Sequence, residues 1–189
     1  MPPQTLPEAF LLDVPSIHRR YLAKFDVLGI PHRFADVLVV GSGIAGLSAA
    51  LAASSRADIS VLVLAKRSID ESATRYAQGG IAAVVRPELT GDSIDRHVAD
   101  SLAGAAGLAD DHVVRSTLEE GVERVRELID LGTNFDLDDS GELQLTREGA
   151  HSLPRILHRG DTTGQEIERA LVAAVGARRN VLALPDTFA

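Results

Sequence analysis

The chain has no cysteine among its 189 residues, which excludes disulfide frameworks and thiolate-held zinc or iron–sulfur centres. No apolar run approaches the roughly 20 residues needed to span a bilayer, so no membrane association is expected. Met1 to Pro15 lacks the basic-then-apolar pattern of a secretory signal. A cytoplasmic setting fits these absences. Positive charge is also in short supply: 27 Asp and Glu against 19 Lys and Arg leave a net charge of −8. That is the wrong sign for neutralising a phosphate backbone, and nucleic acid is not expected as a partner. The short basic groups His18-Arg19-Arg20 and Arg178-Arg179 read as solvated surface. There is no P-loop, no HExxH helix, no GxSxG elbow and no internal repeat.

What is present is the composition of a soluble globular domain, 45% hydrophobic and 24% charged. Residues 1–34 are dotted with proline and read as an N-terminal extension, with a short helix near Ser16–Phe25. From Ala35 the pattern sharpens. Val37-Leu38-Val39-Val40 is a continuous β-branched run, expected as a strand covered on both faces of a parallel sheet. Ile44 to Ala53 reads as a helix and Ile59 to Leu64 as a second buried strand, together a βαβ unit.

Further on, Asp92 is expected to cap a helix reaching about Ala103. Leu118, Val122, Val125 and Ile129 recur at helical spacing within Asp110–Leu131, and Gly132 supplies a left-handed stop. Asp138-Asp139-Ser140-Gly141 is a turn between short extended segments. Thr162 to Ala177 is an amphipathic helix, and Val181 to Leu184 a third buried strand. The expected fold is α/β, Rossmann-like with a parallel sheet. Residues 35–189 would be its N-terminal part, because such a sheet normally continues past this point.

Gly41-Ser42-Gly43-Ile44-Ala45-Gly46 has the spacing that seats a pyrophosphate on a helix N-terminus. The first glycine makes the tight turn, the second admits the phosphate, and the third lets helix and strand pack closely. Alone the pattern is weak. Between a buried strand and a helix, inside a βαβ unit, it points to dinucleotide binding. At the end of the second strand, where an acidic residue usually holds a ribose, this chain has Lys66. That weakens an NAD site; Lys66 either reaches a phosphate or ribose oxygen or is a surface lysine.

A second glycine motif runs from Ser72 through Ala73-Thr74-Arg75-Tyr76-Ala77-Gln78-Gly79-Gly80. Its paired glycines expose backbone N–H groups suited to a flavin's ring and phosphates, or else pack the segment on the first loop. Glu148, in Leu145-Thr146-Arg147-Glu148-Gly149-Ala150-His151-Ser152, is, taken by itself, either one half of a surface ion pair with Arg147 or a functional carboxylate. His151 and His158 are structural histidines or, for His151, a substrate contact. His97 and Asp100 share a helical face without the further ligands a metal needs.

Taken in this order, the Gly41 loop, Lys66 and the Thr74–Gly80 segment resemble the succinate dehydrogenase/fumarate reductase flavoprotein superfamily. The 145–152 segment, with Arg155-Ile156-Leu157-His158 and Asp161-Thr162-Thr163-Gly164, is most similar to its aspartate-oxidase branch. Gly149-Ala150 departs from the paired glycines often found there. The resemblance implies FAD held by Gly41 to Gly46, Lys66, Ala73 to Gly80, Phe188 and Ala189. The FAD is non-covalent, because Ala73 stands where the respiratory members carry a linking histidine. It implies L-aspartate as substrate, oriented by Glu148 and oxidised to iminoaspartate in de novo NAD biosynthesis. Oxygen or fumarate would be the electron acceptor and a quinolinate synthase a partner. The arginines that clamp the substrate and move its proton in that family lie in later sequence, so the catalytic residues are expected beyond residue 189, none is assigned here, and these residues alone are expected to be inactive. The alternatives are a fumarate reductase or succinate dehydrogenase flavoprotein, or a non-catalytic piece of the FAD site.

Overall fold

The computed structural model describes Gly29 and residues 32–189; the helix expected near Ser16–Phe25 lies outside them. Strand β1 (Val37–Val40) pairs in parallel with β2 (Val61–Leu64), Val37 opposite Val61 and Val40 opposite Leu64. Helix α1 (Ile44–Ala53) connects them and completes the expected βαβ unit. Alanine and leucine dominate it, residues that lose little freedom in a helix. Strand β6 (Val181–Leu184) lies parallel on the other side of β2. The order β1-β2-β6 is the 3-2-1 half of a dinucleotide-binding sheet.

The strands depart from expectation in two ways. β2 begins at Val61 because the Ile59 N–H is spent on a turn to the Arg56 carbonyl, 3.2 Å away. Nor, among the described residues, is the sheet covered on both faces. Val39, Val61 and Val63 are buried, whereas Leu38 and Val40 are 58% and 65% exposed. Among the described residues, the core built by Leu47 and Leu51 of α1 and by Ile167, Leu171 and Val175 covers one face only. Alternation along a strand then buries every second residue.

Helix α2 (Pro87–Thr90) is a single turn, followed by α3 (Ile94–Ala105) and α4 (Asp111–Asp130). The Asp110 carboxylate caps α4 by accepting from the Val113 N–H at 3.0 Å, and Gly132, at φ +91°, leads the chain away. The cap of α3 is corrected: Ser93, not Asp92, accepts from the Arg96 N–H at 3.2 Å. Helix α5 (Thr163–Gly176) matches its expected span and leads into β6.

A second, antiparallel sheet joins β3 (Ile81–Ala82), β5 (Ile156–Leu157) and β4 (Leu145–Thr146) in the order β3-β5-β4. Leu157 stands opposite both Ile81 and Leu145. The turn at Asp138–Gly141 is held by the Asp138 carboxylate, which accepts from the Ser140 and Glu142 amides. A bridge between Leu137 and Leu143 flanks it. This small sheet sets the 145–152 segment beside the residues following Gly80.

Candidate cofactor and substrate site

The glycine loop has the geometry its spacing implies. The Gly41 N–H donates to the Leu64 carbonyl at 2.8 Å, so the chain leaves the sheet there, and φ of +102° suits only glycine. A Cβ on Gly46 would overlap the Gly41 carbonyl oxygen, so the third glycine is fixed by close packing of helix on strand. Gly43 precedes α1 with extended backbone and no side-chain cap. The first turn of α1 holds no acidic residue, leaving its N–H groups and dipole favourable to an anion. These residues form a cradle that fits a pyrophosphate.

The second glycine segment packs directly on this loop. Thr74 opens a 3-10 turn (Thr74–Tyr76), and its Oγ1 accepts from the Ile44 N–H at 2.9 Å. A Cβ on Gly43 would lie 3.3 Å from the same oxygen. Gly164, at the start of α5, donates its N–H to the Ala77 carbonyl at 2.9 Å, and a Cβ there would overlap the Thr74 carbonyl. Not every expected ligand faces the loop. The Arg75 guanidinium lies 2.7 Å from the Asp70 carboxylate, and the Tyr76 hydroxyl donates to Glu71 at 2.7 Å. Lys66 is exposed just past β2. Phe188 and Ala189 are exposed too, but Asp186 and Thr187 donate their N–H groups to the Arg67 and Ala65 carbonyls, so this tail runs beside the Lys66 segment.

Farther along, Gln78, Gly79 and Gly80 form one wall of a cleft of ≈ 370 Å³. Thr146, Glu148, His158, Gly160 and Asp161 complete it. A Cβ on Gly80 would overlap Ile156 and the Leu157 carbonyl, so the paired glycines are where the segment meets β5. Glu148 thus faces the second glycine motif across a short gap, and it makes no ion pair with Arg147. A larger cleft of ≈ 580 Å³ lies between α1 and α4, with Ile44, Leu51, Ile81, Leu128 and Leu171 among its lining. Ser48, Arg124, Glu127 and Asp130 also line it.

The segment bearing Glu148 is anchored by a buried charge network invisible in the sequence. Arg155, fully buried, reaches the Asp92 carboxylate through Nε and Nη2, both at 2.7 Å, and Asp100 through Nη1 at 2.6 Å. Asp100 also accepts from the Ser152 N–H and hydroxyl, both at 2.8 Å. Burial pushes the Asp92 carboxyl up, but bonds from Arg155 and the Ser93 amide hold it below its ordinary value. The Ser152 amide and Arg155 together hold Asp100 far below the carboxylate range. His151 turns to Arg155, Nδ1 2.9 Å from Nη1, and its ring lies 5.4 Å from that of His97. Burial first, then Arg155 and His151, push His97 down to about 4, so it is neutral. No metal-holding group of His, Asp and Glu occurs among the described residues.

A parallel half-sheet with this glycine cradle defines a dinucleotide-binding α/β domain. The chain belongs to the FAD binding domain family, which matches residues 36–189, and its cofactor is FAD. Among curated proteins it is 50% identical over 145 residues to an L-aspartate oxidase of Streptomyces coelicolor, covering 76% of this chain and 24% of that one. It is 51% identical over 144 residues to an L-aspartate oxidase of Mycobacterium tuberculosis (75% and 27%). To a chloroplastic L-aspartate oxidase of Oryza sativa it is 45% identical over 157 residues (83% and 24%). The chain therefore spans about a quarter of the length of these relatives. Among solved structures it resembles the Mycobacterium smegmatis Sdh1 complex, with a TM-score of 0.74 and 29% identity over 80% of this chain and 27% of that one. It also resembles a quinol–fumarate reductase, with a TM-score of 0.75 and 26% identity over 80% and 26%. No helix of the described residues is long and apolar enough to cross a membrane.

Proposed function

We propose that this chain forms the FAD-holding part of an enzyme that oxidises L-aspartate to iminoaspartate, a reaction that feeds de novo NAD synthesis. The observation that carries the reading is the placement of Glu148 in one cleft with Gln78, Gly79 and Gly80. A carboxylate there binds an ammonium group, which a substrate limited to two carboxylates does not have. The proposed holders of the cofactor are Gly41 to Gly46, Lys66, Ala73 to Gly80, Phe188 and Ala189. With alanine at 73 the flavin is held without a covalent link.

FAD supplies a two-electron acceptor. Of the residues in this chain, the α1 N-terminus would offset pyrophosphate charge, the Gly79–Gly80 backbone would help hold the cofactor, and Glu148 would orient the amino group. Aspartate loses a hydride from Cα and a proton from nitrogen. Oxygen or fumarate finally takes the electrons, and a quinolinate synthase is the proposed recipient of the product.

The test is anaerobic mixing of the full-length, FAD-loaded enzyme with L-aspartate, followed by flavin absorbance. Bleaching by aspartate and not by succinate is expected, with Glu148→Gln slowing it at least about tenfold. The likeness to fumarate reductase and succinate dehydrogenase structures supports a second reading, a dicarboxylate flavoenzyme. Bleaching by succinate alone would establish that one instead.

A further inference from the structure

The Glu148 carboxylate is aimed at the second glycine motif: its Oε1 would lie 3.9 Å from a Cβ placed on Gly79. Glu148 itself sits on an exposed turn, so its position is set by what holds that turn. Strand β4 ends at Thr146, and past it the backbone is tied at two points. The His151 N–H donates to the Glu148 carbonyl at 3.3 Å, closing the turn. The Ser152 N–H and hydroxyl both donate to Asp100 of α3 at 2.8 Å. Between these ties Ala150 has φ of +67°, a left-handed conformation that a residue with a Cβ keeps only when its surroundings impose it. Gly104, one turn after Asp100 on the same face of α3, meets it there. A Cβ on Gly104 would lie 3.3 Å from the Ala150 methyl.

One helix face therefore acts on the turn twice. Asp100 draws Ser152 toward α3, and the bare backbone at Gly104 is the stop against which Ala150 rests. A methyl at 104 would force its neighbour to give by a few tenths of an ångström. Gly149 and Ala150 are exposed, so the turn is what yields. Asp100 cannot follow it, because Arg155 holds Asp100 at 2.6 Å while Asp92 holds Arg155. We infer that α3 sets the position of Glu148 beside Gly79, with Asp100 and Gly104 as positioning residues, so that selectivity for the substrate's amino group depends on a helix that contributes no residue to the cleft. This rests on the amino-acid reading above and adds to it what aims the carboxylate. The glycine cradle, built on α1 and the Thr74 turn, stays in place when the Glu148 turn moves.

The experiment titrates two probes into the full-length, FAD-loaded enzyme and reads the perturbation of the flavin spectrum. α-Methyl-L-aspartate has the ammonium group but no Cα hydrogen to lose; succinate lacks the ammonium. Gly104→Val is expected to weaken α-methyl-L-aspartate about tenfold and Gly104→Ala about threefold, the effect of displacing one charge-assisted contact, with succinate within about twofold in both. Ala150→Gly added to Gly104→Ala removes the opposing methyl and suits the left-handed backbone, so the double variant should return to native selectivity. Alanine suits the helical backbone at 104 better than glycine does, so the melting temperature of Gly104→Ala should not fall. Equal weakening of both probes, native selectivity in Gly104→Val, or no recovery in the double variant overturns the inference. Should Gly104→Val not retain FAD, Gly104→Ala and its double variant decide by the same criteria. A native enzyme that does not prefer the amino probe sinks the amino-acid reading as well. A native preference unchanged in Gly104→Val sinks only the role of α3.

Discussion

Arg155 and Asp92 stand 63 residues apart in sequence and form a two-point ion pair, both contacts at 2.7 Å, with both side chains out of solvent. The pair joins the segment before α3 to β5, the strand that follows the Glu148 segment. Its energetics are asymmetric. A buried pair adds little net stability over an apolar substitute, but removing one partner strands a charge.

Asp92→Ala is therefore expected to cost about 3–5 kcal/mol, read from denaturant unfolding. Combining it with Arg155→Met should recover part of that loss, since the buried guanidinium is removed while Asp100 keeps only its bonds from Ser152. A double variant as weak as the single one would count against the stranded-charge account.

At the glycine cradle the expectation is position-specific. Gly46→Ala places a methyl on the Gly41 carbonyl and should weaken FAD binding by at least about tenfold in a fluorescence titration. Gly121→Ala, inside α4 with open space around the new atom, should instead stabilise the fold by about 0.5–1 kcal/mol. Similar losses from both would show that the cradle is not special.

Thr74→Val removes the oxygen that accepts from the Ile44 N–H and keeps the shape. A loss of about 0.5–2 kcal/mol is expected, the range for a lost helix cap, with weaker FAD retention. Thr74→Ser should stay close to the native protein, and thermal melts with and without FAD distinguish the two.

Glu168 lies in α5 at 1% exposure, with neither carboxyl oxygen hydrogen-bonded among the described residues. Burial pushes its carboxyl above the ordinary 4.5. The folded protein then holds a proton that the unfolded chain releases. This contribution to stability is fully present below about 4.5 and is lost as pH rises through the raised folded value. Glu168→Gln should match the native protein in acid and exceed it by about 1–3 kcal/mol at neutral pH. A difference that does not vary with pH would refute this.

Local order carried much of the fold and of the cofactor cradle. The β-branched run at Val37–Val40, the alanine-rich stretch after it and the spacing Gly41-x-Gly43-x-x-Gly46 act within a few residues of themselves, so a βαβ unit with an anion-binding turn was legible. Helices α4 and α5 were legible too, from apolar residues at helical spacing. Asp92 shows the limit. An acid just before a helix reads as a cap, and only the fold brought Arg155 to it and left Ser93 the capping role.

Local chemistry in the sequence determined that this chain folds as a dinucleotide-binding type of α/β domain and where its glycine loop turns. The tertiary structure alone decided that Glu148 shares a cleft with Gly79 and Gly80, that Arg75 pairs with Asp70, and that His158 turns its Nδ1 to Asp136. The physical reason is range. Backbone conformation and helical period are set by near neighbours, whereas the partner of a buried charge is chosen by sheet pairing between segments 60 or more residues apart, as Arg155 and Asp92 are.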